Sequence, residues 1–270
     1  MRMPHSEARA CAPAGEGGGG FPATRLSVVR GASSADAGVR QRALETLAAA
    51  YWKPVYKHIR LRSHRSAEDA EDLTQAFFAR AMEKDFFAGY DPAKGRFRTF
   101  LRTCLDRFLA NEDKTASRLK RGGDTVTLRL DFASAEEELR AAGAGAARTS
   151  EEAFDAEWTR SLFSLAIEAL RKECDTQGKA LHFRLFSRYD LETDGPGRPT
   201  YEALASEFGT TASQVTNHLA WARREFRRLV LETLRSLTGT DEEFRLEARL
   251  LLGFDPGDRP AGGESGTSPC

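Results

Sequence analysis

The stretch from Thr200 to Phe226 constrains the fold more than any other part of the chain. Leu204, Ala205 and Phe208 recur at helical spacing and end at Gly209, a residue that takes the left-handed C-cap conformation at little steric cost. Thr211 or Ser213 can cap the next helix, in which Val215, Leu219, Ala222 and Phe226 return with a helical period. Two short helices joined by a tight glycine turn predict a helix-turn-helix. The polar side of its second helix carries Ser213, Gln214, Thr216, Asn217 and His218, with Arg223 and Arg224 beyond them. Short hydrogen-bonding side chains near a helix N-terminus suit base edges, and arginines further along suit phosphates. A plain helical scaffold shows the same spacing, so this segment does not by itself establish nucleic-acid binding.

The surrounding sequence is helical as well. Period-two alternation is nearly absent apart from Thr125–Leu130, which predicts an all-α protein of two small helical domains joined by a flexible linker. The boundaries fall as an N-terminal tail over 1–37, a first domain over 38–121, an acidic Gly/Ala-rich linker over 122–153 with a short helix near Ala135–Arg140, and a second domain over 154–236. A C-terminal amphipathic segment over 237–254, built on Phe244, Leu246, Leu250 and Leu251, precedes a tail over 255–270. In the first domain Leu44, Leu47, Ala48, Tyr51, Val55 and Ile59 form one stripe, with Pro54 forcing a kink or a new start. Ser66 can cap a helix that opens with Glu68, Asp69, Glu71 and Asp72, where the helix dipole favours acids, and that buries Ala70, Leu73, Phe77, Phe78 and Ala81. After a turn at Asp91–Gly95, Phe97, Phe100, Leu101, Cys104, Leu105 and Phe108 make a further stripe, with Arg98, Arg102 and Arg107 off it.

The formal charge sums to zero, yet it is segregated. Residues 94–121 hold nine Lys/Arg and three Asp/Glu, a net of +6, whereas residues 124–157 hold three Lys/Arg and nine Asp/Glu, a net of −6. This asymmetry predicts a basic binding surface and an acidic linker able to close on it. Four scattered cysteines (Cys11, Cys104, Cys174, Cys270) with no CxxC pair point to a reducing cytoplasm and away from a zinc site or a disulfide framework. No apolar run approaches the ~20 residues that span a bilayer. The five histidines are dispersed, and no nucleophile elbow or phosphate loop is present, so neither an enzyme nor a cofactor is expected.

Specific residues now carry a resemblance. Ala67–Gln75 with Phe77 and Phe78 after it resembles the region 2 signature of sigma-70 family factors, Tyr90–Leu101 resembles the segment after it, and Thr200–Phe226 is similar to region 4.2. The order and spacing resemble the two-domain extracytoplasmic-function group. The resemblance implies a bacterial, cytoplasmic sigma factor with no catalysis of its own. Its partners are core RNA polymerase, promoter double-stranded DNA and the opened non-template strand, with an anti-sigma or other regulatory protein as a further partner and no membrane. By position, Asp69, Asp72 and Gln75 face the polymerase. Arg96, Arg98, Arg102, Arg107, Lys114, Arg118, Lys120 and Arg121 lie along the −10 DNA, where phosphate neutralisation dominates affinity. Ser213, Gln214, Thr216 and Asn217 enter the −35 major groove, with Arg198, Arg223 and Arg224 on phosphates. Family members usually carry Trp at Phe100, Asn at Arg107 and Asp at Asn111, which makes the chain resemble a divergent branch. The alternative is a helix-turn-helix transcriptional regulator without initiation activity.

Overall fold

The computed structural model describes residues 27–63, 65–83, 86–87, 89–116, 130–142, 149–192 and 197–256. Among these the chain is all-helical and forms no strand. The helices are α1 (Val28–Gly31), α2 (Ala37–Ser63), α3 (Ala67–Ala81), α4 (Phe97–Ala116), α5 (Phe132–Ala142), α6 (Ser150–Thr176), α7 (Ala180–Phe186), α8 (Tyr201–Phe208), α9 (Ala212–Ser236) and α10 (Asp241–Leu252). A 3-10 turn at Pro92–Lys94 precedes α4, and a π-helical turn at Ser187–Leu191 comes after α7. Of the expected strand-like stretch Thr125–Leu130, all but the last residue lies outside the described residues.

Local signals place several of these ends. The Ser66 hydroxyl accepts the Asp69 N–H at 3.1 Å and starts α3. Thr211 caps α9 through a reciprocal box with Gln214: each side chain takes the other residue's backbone N–H at 3.2 Å. Gly209 ends α8 at φ 64°, where a side chain is strained. Of the two expected effects of Pro54, a new helix start does not occur, because α2 runs through it. Its neighbours Tyr51, Val55, Tyr56 and Ile59 are fully buried, and their packing outweighs one missing helical hydrogen bond.

Two apolar cores form, and they share helices. The first gathers α2, α3, α4, the first half of α6 (Phe154, Trp158, Leu162), the end of α9 (Leu234, Leu237) and α10 (Phe244, Ala248). The second gathers the rest of α6 (Ala166, Leu170, Cys174) with α7, α8 and most of α9. Tyr51 of α2 is the hinge of the first core. Its ring lies 5.9 Å from Phe97, 6.5 Å from Phe154 and 6.4 Å from Trp158. The expected domain boundary at 154 therefore falls inside a continuous helix that serves both cores.

The acidic stretch expected as a spacer also packs. Phe132 of α5 meets Trp52 at 5.6 Å and Tyr56 at 5.2 Å. Beside it, Glu136 accepts from Tyr56 at 2.8 Å and from Arg60 at 2.7 and 3.0 Å. Glu138 takes Lys53 and Lys57, and Lys57 also reaches the buried Glu157 at 2.9 Å. The C-terminal segment corrects an expectation too. Phe244 and Ala248 face inward, whereas Leu246 and Leu250 stay 43% and 60% exposed. The register of α10 is set by Glu243 and Glu247, which share the inward side with Phe244 and Ala248.

The Arg60 hydrogen bonds pull the Glu136 carboxyl from an ordinary 4.5 to about 2, and the Tyr56 bond adds to this. A carboxylate depressed on folding stabilises fully above its unfolded value and progressively less as pH falls toward the folded one. Glu136→Gln is expected to lower stability by about 2 kcal/mol at pH 6 and by much less near pH 2.5. Thermal unfolding of both proteins at the two pH values checks this.

Candidate functional site

Three surfaces carry the expected site residues. The first is the outer flank of α3. Ala70, Thr74, Phe77 and Ala81 turn inward, and Thr74 closes its hydroxyl on the Ala70 carbonyl at 2.7 Å. That leaves the flank with Asp69 and Asp72 exposed and Gln75 half-buried beside them, at steps of three residues. The Gln75 Oε1 is buried and accepts no hydrogen bond. An unpaired buried acceptor is uncommon and asks for a donor from outside. Glu68 and Asp69 also sit in the first turn of α3, so part of the acidity serves the helix itself.

The second surface is the start of α4 and the loop before it. Asp91 caps the 3-10 turn by accepting the Ala93 N–H at 3.0 Å, and Gly95 opens the chain at φ 150°. A groove of about 280 Å³ lies between this loop and α4, lined by Tyr90, Lys94, Arg96, Thr99, Phe100 and Arg107 among others. Tyr90 and Phe100 form its aromatic floor with centroids 5.4 Å apart. Cations at the rim and rings at the floor suit an unstacked base with its phosphate.

The expected −10 residues divide. Arg96 and Arg107 border the groove, and Lys114 is exposed further along. Arg98 is a correction: it is buried, lies 4.7 Å over the Trp158 ring, and pairs with Glu247 at 3.2 Å and Asp155 at 3.5 Å. Arg102, four residues on, is 13% exposed and donates to Glu151. The physical reason is register. Phe97, Leu101 and Leu105 point into the core, so Arg98 and Arg102 fall on the flank that faces Asp155 and Glu151, themselves four apart on α6. Arg118, Lys120 and Arg121 lie outside the described residues.

The third surface is the helix-turn-helix. Val215, Leu219 and Ala222 are fully buried, which turns Ser213, Gln214, Thr216 and Asn217 to solvent. Gln214 has a second task in the capping box, and the Thr216 hydroxyl returns to the Ala212 carbonyl at 3.0 Å. Arg224 is exposed, whereas Arg223 is gripped by both oxygens of Asp190 at 2.9 and 3.0 Å. Arg198 and Arg223 lie 5.3 and 5.2 Å from the Tyr189 ring. Tyr189 and Asp190 thus hold Arg223, whose guanidinium is paired within the protein and not turned to a phosphate, while Tyr189 also lies beside the exposed Arg198. Sequence reasoning did not single out Tyr189 and Asp190, since neither lies in the motif. The π-helical turn that presents them is a feature often found at functional positions. Between α9 and α7, His218 Nδ1 is 3.0 Å from His182 Nε2.

Among the described residues, no group of three or more His, Cys, Asp or Glu side chains is arranged to hold a metal ion. No described helix is long and apolar enough to cross a membrane. In comparison with known families, residues 47–118 match the family model for sigma-70 region 2. Among curated proteins and among solved structures nothing matches. The matched segment runs from the middle of α2 through α3 and the groove to beyond the end of α4. That segment is similar to sigma-70 region 2.

Proposed function

We propose that the protein is a bacterial, cytoplasmic sigma factor of the extracytoplasmic-function type, in a divergent branch, which binds core RNA polymerase and directs it to promoters. The observation that carries this reading is the coincidence of the region 2 match with the flank of α3, where Asp69, Asp72 and Gln75 stand outward from one well-capped helix. An acidic flank on a DNA-associated protein is suited to a protein partner and not to phosphate. The groove beside α4 supplies rings and cations for an opened strand, and the helix-turn-helix supplies a second DNA element. The chain contributes binding energy alone, and the polymerase performs the chemistry.

A second reading is a helix-turn-helix regulator that does not initiate. It is favoured by the engagement of Arg98 and Arg102 inside the protein, which thins the basic surface on α4. Run-off transcription with purified core polymerase and a genomic fragment library separates the two. New discrete starts that disappear with Asp72→Ala are expected. Salt-sensitive DNA binding with no new starts would select the regulator.

The two DNA-directed roles have distinct signatures. Asn217→Ala is expected to reduce preference for the upstream element by about 1–3 kcal/mol while leaving binding to unrelated DNA unchanged. Arg224→Ala is expected to weaken binding to all sequences and lower the salt slope by about one. Fluorescence anisotropy across a salt series, on selected and scrambled duplexes, reads both.

A further inference from the structure

Two carboxylates hold α10 across the N-terminal end of α4. Glu243 accepts the Phe97 N–H at 2.6 Å, the Gly239 N–H at 2.7 Å and the Tyr90 hydroxyl at 3.0 Å. Glu247, only 1% exposed, lies 3.4 Å from Arg96 and 3.2 Å from Arg98. The apolar contact is one-sided: Phe244 and Ala248 enter the first core with Leu251 packed against it, while Leu246 and Leu250 face outward. The clasp is also imperfectly satisfied. Glu247 Oε2 and Arg98 Nε are both buried and make no hydrogen bond of good geometry, being held only by ion pairs, at 3.2 Å to Arg98 Nη1 and 3.5 Å to Asp155 respectively. Burial raises the Glu247 carboxyl above its ordinary value although two arginines oppose it. A buried ion pair adds little net stability because desolvation offsets the attraction, and unmatched polar atoms weaken it further.

We propose that α10 is an autoinhibitory latch, whose Glu243 and Glu247 cover the start of the basic stretch on α4 and which leaves when a nucleic-acid phosphate replaces Glu247 at Arg96 and Arg98. A phosphate offers a guanidinium the same anionic oxygens as a carboxylate, so both arginines stay paired through the exchange. The turn over 237–240 lets α10 depart without unwinding α9. Gly239 fixes that turn on the first core: a Cβ there would lie 2.7 Å from the Tyr90 ring. The latch rests on the proposed nucleic-acid role of the first block, and its test keeps the two apart.

The full chain is titrated with a fluorescent, mixed-sequence single-stranded oligonucleotide over a salt series, beside Glu247→Gln and the charge-neutral Gly239→Ala. Circular dichroism establishes that each variant is folded, and amide exchange over 241–252 is measured in parallel. A latch closed most of the time lowers apparent affinity by the fraction open. Both variants are therefore expected to bind at least about three-fold more tightly, and α10 amides of the wild type should exchange faster once the oligonucleotide is bound. Binding by the variants alone supports the latch equally. Equal affinities with unchanged α10 protection overturn the latch and leave the nucleic-acid role standing. Absence of binding by all three proteins overturns both.

Discussion

Both cores are laid along α6, and the remaining helices take their places from it. Its 27 residues reach about 40 Å, longer than either core needs alone. Phe154, Trp158 and Leu162 serve one core, and Ala166, Leu170 and Cys174 serve the other, each set on the face that its neighbours require. Tyr51 binds the arrangement together by touching Phe97 from α4 and Phe154 and Trp158 from α6. Four large rings with no exposed face fix the angle between α2, α4 and α6. The groove beside α4, the flank of α3 and the perch of α9 all depend on that angle.

The zero net charge conceals an internal reorganisation. Among the described residues, acidic side chains after α4 pair with basic side chains of α2 and α4. Glu136, Glu138 and Glu157 engage Arg60, Lys53 and Lys57 of α2, while Glu151 and Asp155 engage Arg102 and Arg98 of α4. Exposed members of such a set stabilise little. The Lys57–Glu157 pair, 7% and 3% exposed, is buried, and each partner has a second one, Glu138 for Lys57 and Arg160 for Glu157. Among the described residues, Arg107 stays exposed by the groove, and Arg198 and Arg224 stay exposed near the start and middle of the α8–α9 unit.

Features written in adjacent residues were legible from the sequence. Gly209 with Thr211 announces the turn of the helix-turn-helix, and Ser66 with Asp69 announces α3. The apolar face of α4 was legible too, down to Phe97, Leu101 and Leu105. Periodicity says which face is apolar but not which neighbour covers the flank. Arg98 therefore looked like a surface cation until Asp155, Trp158 and Glu247 closed on it. Partners so distant leave no local trace: Arg96 and Glu247 are 151 positions apart, and Arg102 and Glu151 are 49. The register of α10 was hidden for a related reason. Several apolar positions compete for its inner face, and two glutamates with designated partners decide among them.

The length of α9 has a mechanical consequence. Its 25 residues form one rod of about 37 Å, with Leu234 in the first core and Val215, Leu219 and Ala222 seated in the second. A beam seated in two cores cannot tilt in one without straining the other. A disturbance of the packing around Leu234 is therefore resisted at both ends of the helix.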